Sequence, residues 1–135
     1  MTTSAPTGWS EWESVTAATL ATVHRFNEAT NRHDVDAMMA LMTNDVVFEN
    51  TVPPPDGERR AGQAAVRAAW EELFRASPNA VFETEEMFAV GDRCVVRWRY
   101  RWAPDQPGRP GHVRGVDVFR VQGGKVAEKL SYVKG

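Results

Sequence analysis

"RGVDVFRVQGGKVAEKLSYV" (residues 114–133) reads as two strands joined by a tight turn, and it sets a carboxylate where a buried strand should have none. Asp117 has Val116 and Val118 beside it and Phe119 two residues on, so either sheet face gives it apolar company. Aspartate is depleted in strands, and a buried carboxylate is costly unless it is paired or protonated. Gly123-Gly124 suits a two-residue hairpin loop. Such a loop pairs Gln122 with Lys125, and counting back sets Gly115 opposite Tyr132, Asp117 opposite Leu130 and Phe119 opposite Glu128. Period two then gathers Gly115, Asp117, Phe119, Val121, Val126, Glu128, Leu130 and Tyr132 on one face. Arg114, Arg120, Lys125 and Lys129 fall on the other. The pattern predicts that Asp117 points inward, away from the basic face.

The preceding strands carry the same alternation. "AVFETEEMFAV" and "RCVVRWRYRW" flank Gly91-Asp92, which suits a type II′ turn with glycine first. That turn pairs Val90 with Arg93, Glu86 with Arg97 and Met87 with Val96. Arg97, Arg99 and Arg101 share one face, while Trp98, Tyr100 and Trp102 share the other. The plain reading is a solvated arginine face over an aromatic core. Arginine is also favoured in partly buried ion pairs at interfaces, so this face is where a homodimer is expected.

The first half is helical. Trp12, Val15, Thr19, Val23 and Phe26 recur every three or four residues, behind a "SEWE" capping box of Ser10 and Glu13. Residues 1–10 read as a flexible arm, and 11–135 as a single domain. Asp34 caps a short second helix with Val35, Met38, Met39 and Met42 on one face. "DVVFEN" is a short strand, and "TVPPPDGERRAG" is a turn-rich loop that suits a pocket rim. A third helix buries Val66, Ala69, Trp70, Leu73 and Phe74 and ends at "SPN". Helices first and antiparallel strands after indicate an α+β fold.

Composition bounds the function. The 135 residues are 42% hydrophobic and 25% charged, with a net charge of −2. No basic excess is present for a polyphosphate backbone, so nucleic acid is not an expected partner. The single Cys94 excludes an internal disulfide, and the three histidines are too scattered for a metal site, so neither metal nor cofactor is expected. His24 and His33 read as solvated. No apolar run nears the roughly 20 residues that span a bilayer, and the N-terminus lacks the pattern of a signal peptide. A cytoplasmic protein without membrane contact is the expectation.

Two stretches, "FNEATNRHDVDAMMALMTNDVVFENTVPPPDGERRAGQAAVRAAWEELF" and "GVDVFRVQGGKVAEKLSYV", give the chain its resemblance. Over residues 12–135 it resembles the nuclear-transport-factor-2-like cone, and within it the SnoaL-like group of small polyketide cyclases. The resemblance implies a cone-shaped roll: three N-terminal helices packed on a curved, mostly antiparallel sheet that encloses an apolar pocket. It also implies a small apolar ligand. In ketosteroid isomerases of this superfamily, a protonated Asp matches Asp117, but the base position corresponds to Asn50 and the tyrosine donor to Phe26. Asparagine cannot abstract a proton and phenylalanine cannot donate one, so that mechanism is disfavoured. Limonene epoxide hydrolases share an aromatic-x-Asn before prolines, like Phe48-Glu49-Asn50, but their two working carboxylates correspond to Val95 and Ser131. SnoaL-like cyclases use one Asp in a matching stretch for aldol closure, and Asp117 corresponds to it.

Asp117 is therefore the candidate catalytic acid/base, with Asn50, Tyr132, Trp98, Phe26, Phe48 and Phe119 as candidate ligand-binding residues. A structural alternative ties Asp117 to Tyr132, Asn50 or a backbone amide. Whether Glu85, Glu128 or His112 reaches the pocket is open at this level. Three functions stay in play: a cyclase or isomerase acting on an apolar carbonyl compound, a non-catalytic binder of an apolar metabolite, and a dimerisation module.

Overall fold

The structure, a computed structural model, describes residues 6–135. In chain order it contains α1 (Pro6–Asn31), α2 (Val35–Ala40), β1 (Met42–Glu49), β2 (Arg59–Ala61) and α3 (Gln63–Ala76). These are followed by β3 (Val81–Val90), β4 (Arg93–Arg101), β5 (His112–Gln122) and β6 (Lys125–Val133). The strands form one sheet in the order β2-β1-β6-β5-β4-β3. Strand β1 runs parallel to β6, and the other neighbouring pairs are antiparallel. Helices packed on a mostly antiparallel sheet make the fold α+β, as the element order predicts.

The helix stripe buries one side of α1. Thr19, Thr22, Val23, Phe26, Ala29 and Thr30 are buried, whereas Trp12 and Val15 at its start are exposed. Threonine is the productive choice at the weak points of that stripe. Thr19 Oγ1 donates to the Gly91 carbonyl at 2.7 Å, and Thr22 Oγ1 donates to that of Gly124 at 3.3 Å. The helix thus holds both hairpin turns of the sheet. At the first of them Gly91 sits at φ +59°, and a Cβ there would meet the Trp12 ring at 2.6 Å. From α3, Val66, Ala69 and Trp70 join the core, where Phe26 packs edge-on against Trp70 and Phe119 at 6.1 and 5.8 Å.

Several expectations need correction. The arm read over residues 1–10 is helical from Pro6; its first five residues lie outside the described ones. Proline suits a first helical turn, where its missing N–H has no partner to lose. Ser10 lies inside the helix and not at its N-cap position, whereas Asp34 does cap α2 by accepting from the Ala37 amide. Strand β2 emerges from the segment read as loop, pairing with β1 from Val47 to Glu49. His33 is only partly solvated: it stacks on Phe74 at 4.1 Å, with Nε2 2.8 Å from the Ala80 carbonyl oxygen.

The correction that matters most is register. The β3–β4 pairing is as counted near its turn, with Glu86 opposite Arg97 and Met87 opposite Val96. On the second hairpin Gln122 does pair with Lys125 and Val121 with Val126, but Arg120 then faces Glu128, leaving Ala127 as an extra residue. Beyond this bulge Phe119 faces Lys129, Asp117 faces Ser131 and Gly115 faces Val133. A bulge shifts pairing by one, and one residue of shift sends each following side chain to the opposite face. Lys129 and Ser131 therefore turn inward, while Glu128, Leu130 and Tyr132 turn out. Among the described residues no helix is long and apolar enough to cross a membrane.

Candidate functional site

The aromatic side of β4 and helix α3 leave a cavity of about 470 Å³ between them and the proline loop. Phe48, Trp70, Leu73, Phe82, Trp98, Tyr100 and Val113 supply its walls, with Val52, Pro54 and Pro55 from the loop after β1. Val52, Trp102 and Val133 also line it and are 60, 39 and 42% exposed, which marks them as the mouth. Asp117 and Lys129 line it too and are buried, which marks them as the floor. The size falls within the range of about 300–1,000 Å³ usual for small-molecule sites.

Strand alternation places both floor residues. Asp117 follows Gly115 on the inner face of β5, and Lys129 follows the bulge on β6. Ser131 Oγ donates to Asp117 Oδ1 at 2.6 Å, and Lys129 Nζ donates to Ser131 Oγ at 2.9 Å. The ammonium lies 3.3 Å from Asp117 Oδ2, with the two side chains 8 and 9% exposed. Its other sides meet aromatic faces, with Phe48 and Trp70 ring centres 4.7 and 5.2 Å away. Cations are attracted to such faces. Asp117 and Lys129 are the only buried charged residues among the described ones. Burial lowers the pKa of Lys129, with the Asp117 charge and hydrogen bonding opposing that shift.

Two indoles border the same space. Trp70 and Trp98 line the cavity, and both Nε1–H groups are buried without a hydrogen-bond partner. Gly115 lets Trp98 lie where it does, because a Cβ at that position would meet the Trp98 ring at 2.6 Å. An unpaired buried donor costs stability.

The other candidate residues divide. Asn50 reaches the cavity wall, but its Oδ1 accepts from the Thr51 amide, so the side chain also shapes the turn before the prolines. Phe48 and Trp98 line the cavity. Phe26 and Phe119 are fully buried behind the wall and do not line it. Tyr132 does not share the Asp117 face: it lies opposite Val116 and is 53% exposed. It borders an adjoining hollow of about 550 Å³ beside Glu49, Asp56 and Arg59, which shares Asn50, Pro55 and Ser131 with the cavity and contains neither buried charge. Glu85 pairs with Arg114 and Arg97, Glu128 with Arg93, and His112 with Asp105, so none of the three enters the cavity. Asp117 is not held by Tyr132, Asn50 or a backbone amide; Ser131 and Lys129 hold it. Lys129 and Ser131 are the site residues that counting strands missed. In the structure the adjacent buried pair Val126-Ala127 marks the bulge, since two inward residues in succession are what a bulge produces. Among the described residues, no three His, Cys, Asp or Glu side chains gather where they could hold a metal ion.

Comparison with known proteins agrees with this architecture. Residues 23–129 match the SnoaL-like domain. An NTF2-like protein of unknown function from Mesorhizobium loti is 39% identical, with a TM-score of 0.75 over 89% of this chain and 93% of that one. A protein provisionally named polyketide cyclase from Sinorhizobium meliloti is 24% identical, with a TM-score of 0.68 over 83% of this chain and 94% of that one. One provisionally named ketosteroid isomerase from Kribbella flavida is 19% identical, with a TM-score of 0.73 over 89% and 80%. At such identities the last two show a shared fold.

Proposed function

The chain belongs to the SnoaL-like family, and from that premise we propose that it is an enzyme of the cyclase or isomerase type. Its substrate would be a small apolar carbonyl compound, and Asp117 would be the acid/base. One observation carries the reading: a carboxylate, an ammonium and a hydroxyl sit together on the floor of an otherwise apolar cavity. Asp117 takes a proton from the carbon beside the carbonyl and returns it elsewhere on the product. Lys129 supplies the positive charge that draws electrons toward the carbonyl as the anion develops. Ser131 fixes one carboxylate oxygen, and the aromatic walls hold the apolar body and exclude water. The names of the Sinorhizobium and Kribbella proteins point to the same chemical territory.

The mechanisms of ketosteroid isomerases and limonene epoxide hydrolases stay disfavoured. Asn50 stands at the base position and Phe26 lies in the core without a hydroxyl, while Ser131 stands where the second reaction needs a carboxylate. A non-catalytic binder is the second reading, favoured by the fact that Asp117 already has two protein partners. The open cavity beside Trp98 argues against a fold that serves dimerisation alone. We also propose a homodimer through the sheet face that bears Arg97, Arg99 and Arg101.

A thermal-shift comparison of wild type and Asp117→Asn tests the assignment, using polycyclic ketones, aromatic polyketide esters and terpene epoxides. A compound that binds the folded state raises its melting temperature by mass action. Ketones or esters should stabilise the wild type by several degrees and the variant by less. Stabilisation of neither protein, or of both equally, would sink the assignment of Asp117 to a ligand site.

A further inference from the structure

We infer that Lys129 acts covalently, its Nζ forming an imine with the carbonyl carbon of an apolar aldehyde or ketone seated in the cavity while Asp117 carries the protons. This rests on the carbonyl-binding reading above and specifies how the positive charge reaches the substrate.

Position is the first argument. The chain has three lysines, and Lys125 and Lys134 are exposed, whereas the Lys129 side chain is 8% exposed on the cavity floor. An ion pair that served only to join two strands would gain nothing from facing a 470 Å³ space in which a substrate can reach it. Chemistry is the second. A nucleophilic amine needs its neutral form near neutral pH, and desolvation is the ordinary means of supplying it. Burial acts on Lys129 in that direction. Proton transfer is the third. Nζ reaches Asp117 directly at 3.3 Å, and through Ser131 Oγ by contacts of 2.9 and 2.6 Å. Accommodation of the product is the fourth. An iminium keeps a positive charge where the ammonium was, against the faces of Phe48 and Trp70.

The steps balance. The ammonium gives a proton to the Asp117 carboxylate. The free amine attacks the carbonyl carbon, the C–N bond forms, and the oxygen takes the proton from Asp117. The resulting ammonium-substituted carbinol passes one N–H proton through Asp117 to its hydroxyl, the C–O bond breaks and water departs. An iminium and a carboxylate remain. Asp117 then removes the proton from the adjacent carbon to give a neutral enamine, and hydrolysis reverses the sequence to free the amine.

Reductive trapping tests this. Wild-type protein is incubated with 2-naphthaldehyde and cyanoborohydride at mildly alkaline pH and mapped with trypsin, while quenching of tryptophan fluorescence reports binding of 2-acetonaphthone, the matching ketone. The expected result is a single adduct on Lys129, seen as a missed cleavage joining residues 126–134, at least ten-fold above adducts on Lys125 or Lys134. Lys129→Arg keeps the charge and should abolish the adduct, and Asp117→Asn should slow its formation at least ten-fold. Saturable quenching with no preference for Lys129 would overturn the imine and leave the pocket assignment standing. Neither quenching nor adduct would overturn both.

Discussion

An ammonium and a carboxylate 3.3 Å apart, each more than nine-tenths buried, have exchanged the solvation of two ions for one another's company. Removing one partner strands the other, and such losses run to about 3–5 kcal/mol. Replacing both by apolar groups removes both desolvation costs and is often neutral or stabilising. Asp117→Leu and Lys129→Met should therefore each lower unfolding free energy by about 3–5 kcal/mol, while the double variant loses far less than their sum. Urea unfolding of the four proteins measures this, and additive losses would contradict the pairing. The pair also has a pH signature. Because burial lowers the Lys129 pKa from its ordinary 10.5, the folded chain binds fewer protons than the unfolded one as pH climbs toward that value. Stability from this group thus rises with pH in that window, and the full cost of burying the ammonium is present below it. Cys94 works the other way: burial pushes its thiol from 9.0 up to about 11, so the folded chain keeps a proton that the unfolded chain loses. Cys94 is present in both wild type and Lys129→Met, so its effect cancels in their difference. The wild type should gain on the variant as pH rises toward the ordinary lysine value of 10.5, and parallel pH profiles would refute the burial argument.

Among the elements, one residue decides which side chains meet. Apart from β2, helices and strands were legible because their apolar residues recur at 3.6 and 2.0, and the β3–β4 register followed from its two-residue turn as far as Glu86, beyond which it shifts. The β5–β6 register did not, since counting from Gly123-Gly124 has no means of seeing that Ala127 is unpaired. The composition of β6 concealed the bulge as well. Val126, Leu130 and Tyr132 look like an inward apolar set, but Leu130 and Tyr132 lie outside it and the inward set contains a lysine and a serine. Asp117 was found because it is anomalous on either face, whereas Lys129 looked ordinary on the face assigned to it. At Gly115 the strands cross closely enough to constrain the site: a Cβ would meet the Tyr132 carbonyl oxygen at 2.2 Å and the Trp98 ring at 2.6 Å. Gly115→Ala should cost about 1–3 kcal/mol, the usual range for overpacking, because a backbone atom must move. It should also weaken ligand binding by displacing Trp98. Unchanged melting temperature and unchanged affinity would show that this crossing does not position the wall.

Across the whole molecule, the sheet separates two surfaces. The inner one carries the cavity. On the outer one the register aligns Phe88, Val95, Val118 and Leu130 in a row across four strands. Arg97 and Arg101 beside them are engaged by Glu86 and Glu83 at 2.8 and 3.0 Å. Exposed pairs of this kind contribute little, about 0–1 kcal/mol each. In the proposed homodimer the apolar row supplies the burial and the arginines border it. Sedimentation of the wild type should give a dimer and that of Phe88→Asp a monomer; a monomeric wild type would refute the interface. The central claim concerns the other surface, and hydrogen exchange tests it most directly. A bicyclic ketone such as 2-tetralone is dissolved in D2O with the protein, and loss of its α-proton signal is followed by NMR. Wild type should accelerate exchange over buffer by about 100-fold or more, the lower end for a positioned acid/base, and Asp117→Asn should return it to background. Exchange no faster than in buffer, or an equal rate with Asp117→Asn, would contradict the assignment of Asp117 as the group that moves the proton.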